Sequence, residues 1–241
     1  MNIEKEITTC GHGACQQHGN HRGSACVSLV PIFNHLEEEQ MEEISRLTQS
    51  VSVKKGEFLY SPEEESSSLY ILNQGKIKIY RSSESGKEQI QRILYPGDFT
   101  GELALFNERI HDSFAMALED TEICKIQGED LQDLLLKYPV ISLKILEEFS
   151  QRLLQSERQA SRYATEKVES RLAMYLAETM DEQGGDYSLK LPMTKKDLAS
   201  YLGTTPESIS RKLLELEEMN LIKQGQNGYI QILDLDGLLL V

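Results

Sequence analysis

Thr194-Lys195-Lys196-Asp197-Leu198-Ala199-Ser200-Tyr201-Leu202-Gly203-Thr204-Thr205-Pro206-Glu207-Ser208-Ile209-Ser210-Arg211-Lys212-Leu213-Leu214 decides how this chain is read. Its punctuation fits two short helices joined by a tight turn. Thr194, with Asp197 three residues on, predicts a capping box that opens the first helix. Leu198, Ala199 and Leu202 give that helix a buried side, and Gly203 stands where a left-handed residue is needed to end it. Thr205 predicts the cap of the second helix. Pro206 takes its first position, where a missing N–H costs nothing. Ile209, Leu213 and Leu216 follow at i, i+4 and i+7 and form one apolar side.

The opposite side carries Glu207, Ser210 and Arg211 at i, i+3 and i+4, so they project together from the N-terminal half of the second helix. A helix-turn-helix lays that half in the major groove of DNA. Arg can read guanine O6 and N7, Glu can accept from cytosine N4, and Ser serves base or phosphate. Thr205, Ser208 and Lys212 complete the set expected at DNA. An ordinary helical hairpin with a solvated polar face would show much of the same pattern. The flanks separate the two readings. Leu221-Ile222 and Tyr229-Ile230-Gln231-Ile232 bracket Asn227-Gly228, a hairpin signal placed where a winged helix carries its wing.

The length of 241 residues suggests one or two domains, and 39% apolar with 27% charged residues is a globular composition. No apolar run approaches the ~18–20 residues of a membrane span, and the first residues lack a signal-peptide pattern. No membrane partner is expected, and the cytoplasm is the expected compartment. The net charge of −14 argues against a general nucleic-acid binder held by a basic face. From Pro192 to Gln224 five basic residues (Lys195, Lys196, Arg211, Lys212, Lys223) meet five acidic ones (Asp197, Glu207, Glu215, Glu217, Glu218). DNA binding must therefore rest on local placement and be strongly salt-dependent. No nucleophile–base order and no phosphate loop appears, so no enzymatic activity is expected.

Four segments follow. Residues 1–30 form an arm rich in Gly, Cys and His that cannot fold by burial. Residues 31–137 open with a helix through Glu37–Thr48 and continue as short alternating strands, an antiparallel barrel or jelly roll. Residues 138–165 read as one long helix. Ser142, Leu146, Phe149, Leu153, Ser156, Ala160 and Tyr163 keep the 4,3,4,3 spacing of a two-stranded seam, so Leu146, Phe149, Leu153, Ser156 and Ala160 are the expected homodimer contacts. An amphipathic helix packed on its own barrel would use a similar stripe. Residues 166–241 hold the winged helix, with Thr165 expected to cap a helix through Glu166–Glu178. The fold class is α+β.

Three motifs in this order carry a resemblance: Gly97-Asp98 with Gly101-Glu102-Leu103, then Glu169-Ser170-Arg171-Leu172-Ala173, then Glu207-Ser208-Ile209-Ser210-Arg211. The chain resembles, over about residues 31–235, the Crp/Fnr family of bacterial transcriptional regulators. The resemblance implies a cyclic-nucleotide-binding-like barrel that senses, a long helix that dimerises and a winged helix-turn-helix that reads an inverted-repeat operator in double-stranded DNA. It also implies RNA polymerase as a partner. Glu207, Ser210 and Arg211 resemble the fumarate-nitrate branch, whose half-site is TTGAT-like, where the cyclic-AMP branch opens its helix with Arg-Glu. Asp112-Ser113 stands where cyclic-nucleotide members carry Arg-Ser. A carboxylate offers a cyclic phosphate repulsion instead of a bidentate fork, which argues against cyclic AMP.

Four cysteines in a chain expected in the cytoplasm point to metal binding or redox chemistry before a disulfide scaffold. Similarity to the fumarate-nitrate type implies a [4Fe–4S] cluster held by Cys10, Cys15 and Cys26 of the arm and Cys124 of the barrel, with oxygen or redox state as the signal. The arm spacing, C-x4-C-x10-C, is looser than that branch usually shows. His12, His18 and His21 interleave with the cysteines, so a mixed Cys/His zinc site fits as well. A thiol–disulfide switch between an arm cysteine and Cys124 also fits. Cys124 taken alone reads as a small buried apolar residue.

Overall fold

Alternating burial between residues 49 and 127 resolves into two antiparallel four-stranded sheets in a computed structural model, which describes residues 27–65, 67–84, 86–102 and 110–241. The first sheet runs in the order β1 (Gln49–Val53), β8 (Thr121–Gln127), β3 (Ser68–Gln74) and β6 (Phe99–Thr100). The second runs β2 (Phe58–Tyr60), β7 (Phe114–Ala117), β4 (Ile77–Ser82) and β5 (Glu88–Leu94). Apart from the consecutive pair β4 and β5, neighbours in the sheets are distant in sequence, as in the expected jelly roll.

Strand periodicity divides the apolar residues between two cores. Val53, Leu72 and Ile123 of the first sheet pack with Leu59, Ile77, Ile79, Ala115 and Ala117 of the second. On the other face of the first sheet, Leu69, Ile71, Cys124 and Ile126 meet a helical layer. That layer contains Ile44 of α1 (Glu38–Leu47), Leu131 and Leu134 of α2 (Gly128–Lys137), and Ile141 and Ile145 of α3 (Pro139–Thr165).

Two local expectations need correction. Residues 128–137 were expected among the strands, yet they form α2. Glu129 and Asp130 in its first turn favour the helix dipole, and Leu131 and Leu134 at i and i+3 bury on one side. Thr165 does not cap the next helix, because α3 runs through it and its Oγ1 donates to Ser161 O at 2.9 Å. The next helix, α4 (Val168–Glu182), has Lys167 at its N-cap without a side-chain cap bond. β1 and β6 carry little sequence signal: β1 is a polar, half-exposed Gln-Ser-Val-Ser-Val, and β6 has two residues.

The chain divides into two compact units. One runs to Ser83 and resumes from Gln91 to Gln151; the other holds Glu84–Ile90 and Arg152–Val241. The second unit has its own core. Leu172, Ala173 and Leu176 of α4 pack there with Leu198 and Ala199 of α5 (Lys195–Tyr201) and Ile209, Leu213 and Leu216 of α6 (Pro206–Glu218). A three-stranded sheet closes that core, in the order β10 (Ile222–Gln224), β11 (Tyr229–Ile232) and β9 (Ser188–Lys190), followed by α7 (Leu235–Leu239).

A buried imidazole sits inside the first unit. The His111 ring stacks on Tyr60 with centroids 3.7 Å apart and planes 2° apart, and only 5% of the residue is exposed. Burial lowers its pKa, while Glu64, Asp112 and Glu102 partly oppose that shift. A folded-state pKa below the unfolded value of 6.5 means the unfolded chain takes up the proton first as pH falls. Stability is therefore lost on acidification below about pH 6.5. His111→Phe, which keeps a stacked ring and removes the proton site, is expected to flatten the fall in Tm between about pH 7 and about pH 5. An unchanged pH profile in thermal melts would contradict this assignment.

Candidate nucleic-acid interface

The turn that presents α6 is built from local chemistry. Thr194 Oγ1 accepts from the Asp197 amide at 3.1 Å, capping α5. The Asp197 carboxylate in turn accepts from the Thr194 hydroxyl at 2.7 Å, so the two side chains lock each other. Gly203 has φ +67°, the left-handed conformation its place after α5 requires. Thr205 Oγ1 accepts from the Ser208 amide at 3.3 Å, and Pro206 occupies the first turn of α6. Ile209, Leu213 and Leu216 are each fully buried, which fixes the face that α6 turns away from its core.

That outward face carries Glu207 and Arg211, both exposed, with Ser208 and Ser210 half-buried beside them. The Arg211 side chain is 69% exposed, and its Nε stands 3.7 Å from Glu215 Oε1. Lys212 differs from the others. Its Nζ lies 3.1 Å from Glu169 Oε2 on α4 and also donates to Glu215, leaving the side chain 21% exposed. Lys167, Val168, Glu169, Ser208, Arg211 and Lys212 line a groove of about 210 Å³ between the start of α4 and the first two turns of α6.

The wing is fastened to the same helix. Asn227 and Gly228 have φ +55° and +80°, turning the chain from β10 into β11 as the sequence predicts. The backbone and side-chain amides of Gln224 both donate to Glu217 at 2.9 Å, drawing the Glu217 carboxyl below its ordinary pKa. Lys195 reaches Gln224 Oε1 at 3.2 Å. The sequence does not mark Gln224 and Glu217 as a pair, because nothing in local spacing joins a strand residue to a helix residue seven positions earlier.

The expected sensor residues divide. Cys10, Cys15 and Cys26, with His12, His18 and His21, lie outside the described residues. Cys124 is 8% exposed on the helix-facing side of β8, among Leu69, Ile71 and Ile126. It is disulfide-bonded. Val27, the residue after Cys26, is fully buried in the same cluster as Cys124. No group of three His, Cys, Asp or Glu that could hold a metal is found among the described residues. Asp112 forms an ion pair with Arg81. Glu102, 5% exposed, accepts from Arg92 at 3.0 Å.

Among the expected dimer contacts, Leu146 (59% exposed) and Leu153 (60%) face outward with Ser156 and Ala160. Phe149 does not join them and packs against its own unit's core with Ile141 and Ile145. Leu143, 66% exposed, stands in the outward stripe one turn before Leu146.

A polar face carrying Glu207, Ser210 and Arg211 on the second helix of a capped helix pair, beside a wing, is the arrangement of the winged helix-turn-helix class. The model of the Crp-like helix-turn-helix domain matches residues 170–240, and that of the cyclic nucleotide-binding domain matches residues 50–138. The chain is 36% identical over 201 residues to the probable transcriptional regulator flp of Lacticaseibacillus casei, covering 83% of this chain and 91% of that protein. It is 30% identical over 226 residues to the fumarate and nitrate reduction regulatory protein of Vibrio cholerae, covering 92% and 89%. A solved structure of a CooA mutant from Carboxydothermus hydrogenoformans matches with a TM-score of 0.75 over 87% of this chain and 93% of that one. At 21% identity this is a likeness of fold. The protein belongs to the Crp/Fnr family, whose members are DNA-binding transcriptional regulators and not enzymes. No helix among the described residues is long and apolar enough to cross a membrane.

The two faces of α6 are expected to respond differently to truncation. Ile209→Ala should lower unfolding stability by about 2–5 kcal/mol in denaturant titrations, as core deletions do. Arg211→Ala should stay within about 0.5 kcal/mol of the parent, since surface changes rarely exceed that. A large loss for Arg211→Ala would place it in the structural framework.

Proposed function

We propose that the protein is a redox-responsive transcriptional regulator that reads a TTGAT-type inverted repeat as a homodimer, with Cys10, Cys15, Cys26 and Cys124 as its sensor. The observation that carries the redox part is the position of Cys124. It packs in the same buried cluster as Val27, the residue that follows Cys26. Four thiolates are the donor set of a [4Fe–4S] cluster, and a mostly buried, apolar setting for Cys124 suits a ligand shielded from water. When bound, such a cluster would supply an oxygen-sensitive link between the arm and β8. Cys10, Cys15 and Cys26 would hold it from the arm, and Cys124 from the sheet.

A second reading, a thiol–disulfide switch, draws support from the disulfide of Cys124. There two thiols give up two electrons and two protons to an oxidant of the oxygen or peroxide class, joining the arm to β8 covalently. Neither reading calls on cyclic AMP: the residue that the family resemblance sets at the cyclic phosphate is Asp112, a carboxylate engaged by Arg81.

The DNA-reading part assigns Glu207, Ser210 and Arg211 to base edges, with Thr205 and Ser208 at the helix start near the phosphates. The outward stripe of Leu143, Leu146 and Leu153 is apolar surface that a second copy would cover, presenting two recognition helices to an inverted repeat. RNA polymerase is the expected partner at the promoter, and the cytoplasm the expected setting.

Anaerobic reconstitution followed by iron and acid-labile sulfide analysis separates the readings. The cluster reading expects bound iron and sulfide that Cys124→Ser abolishes. The switch reading expects a metal-free protein whose free-thiol count falls by pairs on oxidation, with loss of that change in Cys124→Ser. A protein that shows neither response has no cysteine sensor. Arg211→Ala is expected to cost about 1–3 kcal/mol of discrimination at one base position of the half-site, measured by binding to substituted duplexes.

A further inference from the structure

Sequence pattern groups Lys212 with Arg211 as a cation aimed at DNA, but the two side chains have different surroundings. Lys212 is directed at two carboxylates, Glu169 of α4 and Glu215 one turn along its own helix. Both bonds raise its pKa, that to Glu215 most, so it remains an ammonium. Glu215 is shared. Its Oε2 accepts from Lys212, while Oε1 lies 3.7 Å from Arg211 Nε, beyond hydrogen-bond reach. One carboxylate thus stands between two cations and is held by the less exposed of them.

We propose that Lys212 is a positioning residue that occupies Glu215 and Glu169, so that Arg211 extends toward DNA, and that Lys212 does not itself meet phosphate. The inference rests on the reading of α6 as the DNA-reading helix. Its physical basis is competition for one acceptor. Arg211 and Glu215 are spaced i and i+4, the geometry in which helical ion pairs form. A guanidinium folded back along the helix cannot present its fork to guanine. An ammonium already bonded to Glu215 weakens that alternative. The same ammonium neutralises Glu169, whose charge otherwise stands in the groove that Arg211 lines.

The test uses the full-length protein and fluorescence anisotropy with a TTGAT-type inverted-repeat duplex and a scrambled duplex over a series of salt concentrations. For Lys212→Met, the plot of log Kd against log salt should run parallel to the parent's. Affinity for the repeat should be weaker by about two- to fivefold, the scale of a partly exposed ion pair. Preference for the repeat over the scrambled duplex should fall, and adding Glu215→Gln should restore it. A phosphate contact predicts otherwise: the slope shrinks by about 0.9 per protomer, and Glu215→Gln restores nothing. That outcome overturns the inference. Thermal melts accompany each variant, and Lys212→Gln replaces Lys212→Met if the latter melts early. Arg211→Ala is measured in parallel. Survival of repeat preference in Arg211→Ala removes the DNA-reading assignment, a failure distinct from an altered slope in Lys212→Met alone.

Discussion

Strand β8 must satisfy two cores at once, and much of the first unit depends on that constraint. Successive residues of a strand point to opposite faces, so Ile123 packs between the two sheets while Cys124 packs against the helical layer. A one-residue slip would exchange them, placing the thiol in the inter-sheet core and isoleucine against the helical layer. The register with β1 and β3, which pairs Cys124 with Ser50 and with Ile71, excludes that slip. Sheet pairing is thus what places the cysteine on the side where Val27 is buried.

In the second unit the corresponding constraint is the burial of Ile209, Leu213 and Leu216, which leaves Glu207 and Arg211 no direction but outward. Polar bonds refine this. Glu169 ties α4 to α6 through Lys212, and Ser170 donates to the Val241 carbonyl at 2.7 Å. The Arg171 guanidinium lies 5.2 Å from the centre of the Tyr163 ring. Glu169-Ser170-Arg171-Leu172-Ala173, visible in the sequence as a motif, therefore serves as a bracket: three polar side chains reach separate elements, and Leu172 and Ala173 enter the core. An acidic chain can present a small basic and polar face because neighbouring carboxylates such as Glu217 are engaged by specific donors.

Where structure follows from local chemistry, the sequence was legible. Thr194, Gly203, Thr205, Pro206 and Asn227-Gly228 each act within a few residues of themselves, and each takes its expected place in the chain. The apolar periodicity of α6 was readable for the same reason. What was not readable depends on tertiary choice. Phe149 fits a dimer seam by spacing, but Ile141 and Ile145 already face the core, and Phe149 lies on their side of α3. Thr165 resembles a cap, yet its hydroxyl can bond back to Ser161 and let the helix continue. The partners of Lys212 come from α4 and from the next turn of α6, and no local pattern distinguishes a cation facing DNA from one facing carboxylates.

Under the proposed function, the redox state of the cysteine set changes how tightly α6 reads DNA. Operator affinity should be measured anaerobically on reduced protein and again after controlled oxidation, with Cys124→Ser as the comparison. A coupling of about 1–3 kcal/mol, or roughly five- to 150-fold in affinity, is predicted between the two states and should vanish in Cys124→Ser. Equal affinity in both states, with specific binding intact, would contradict the account.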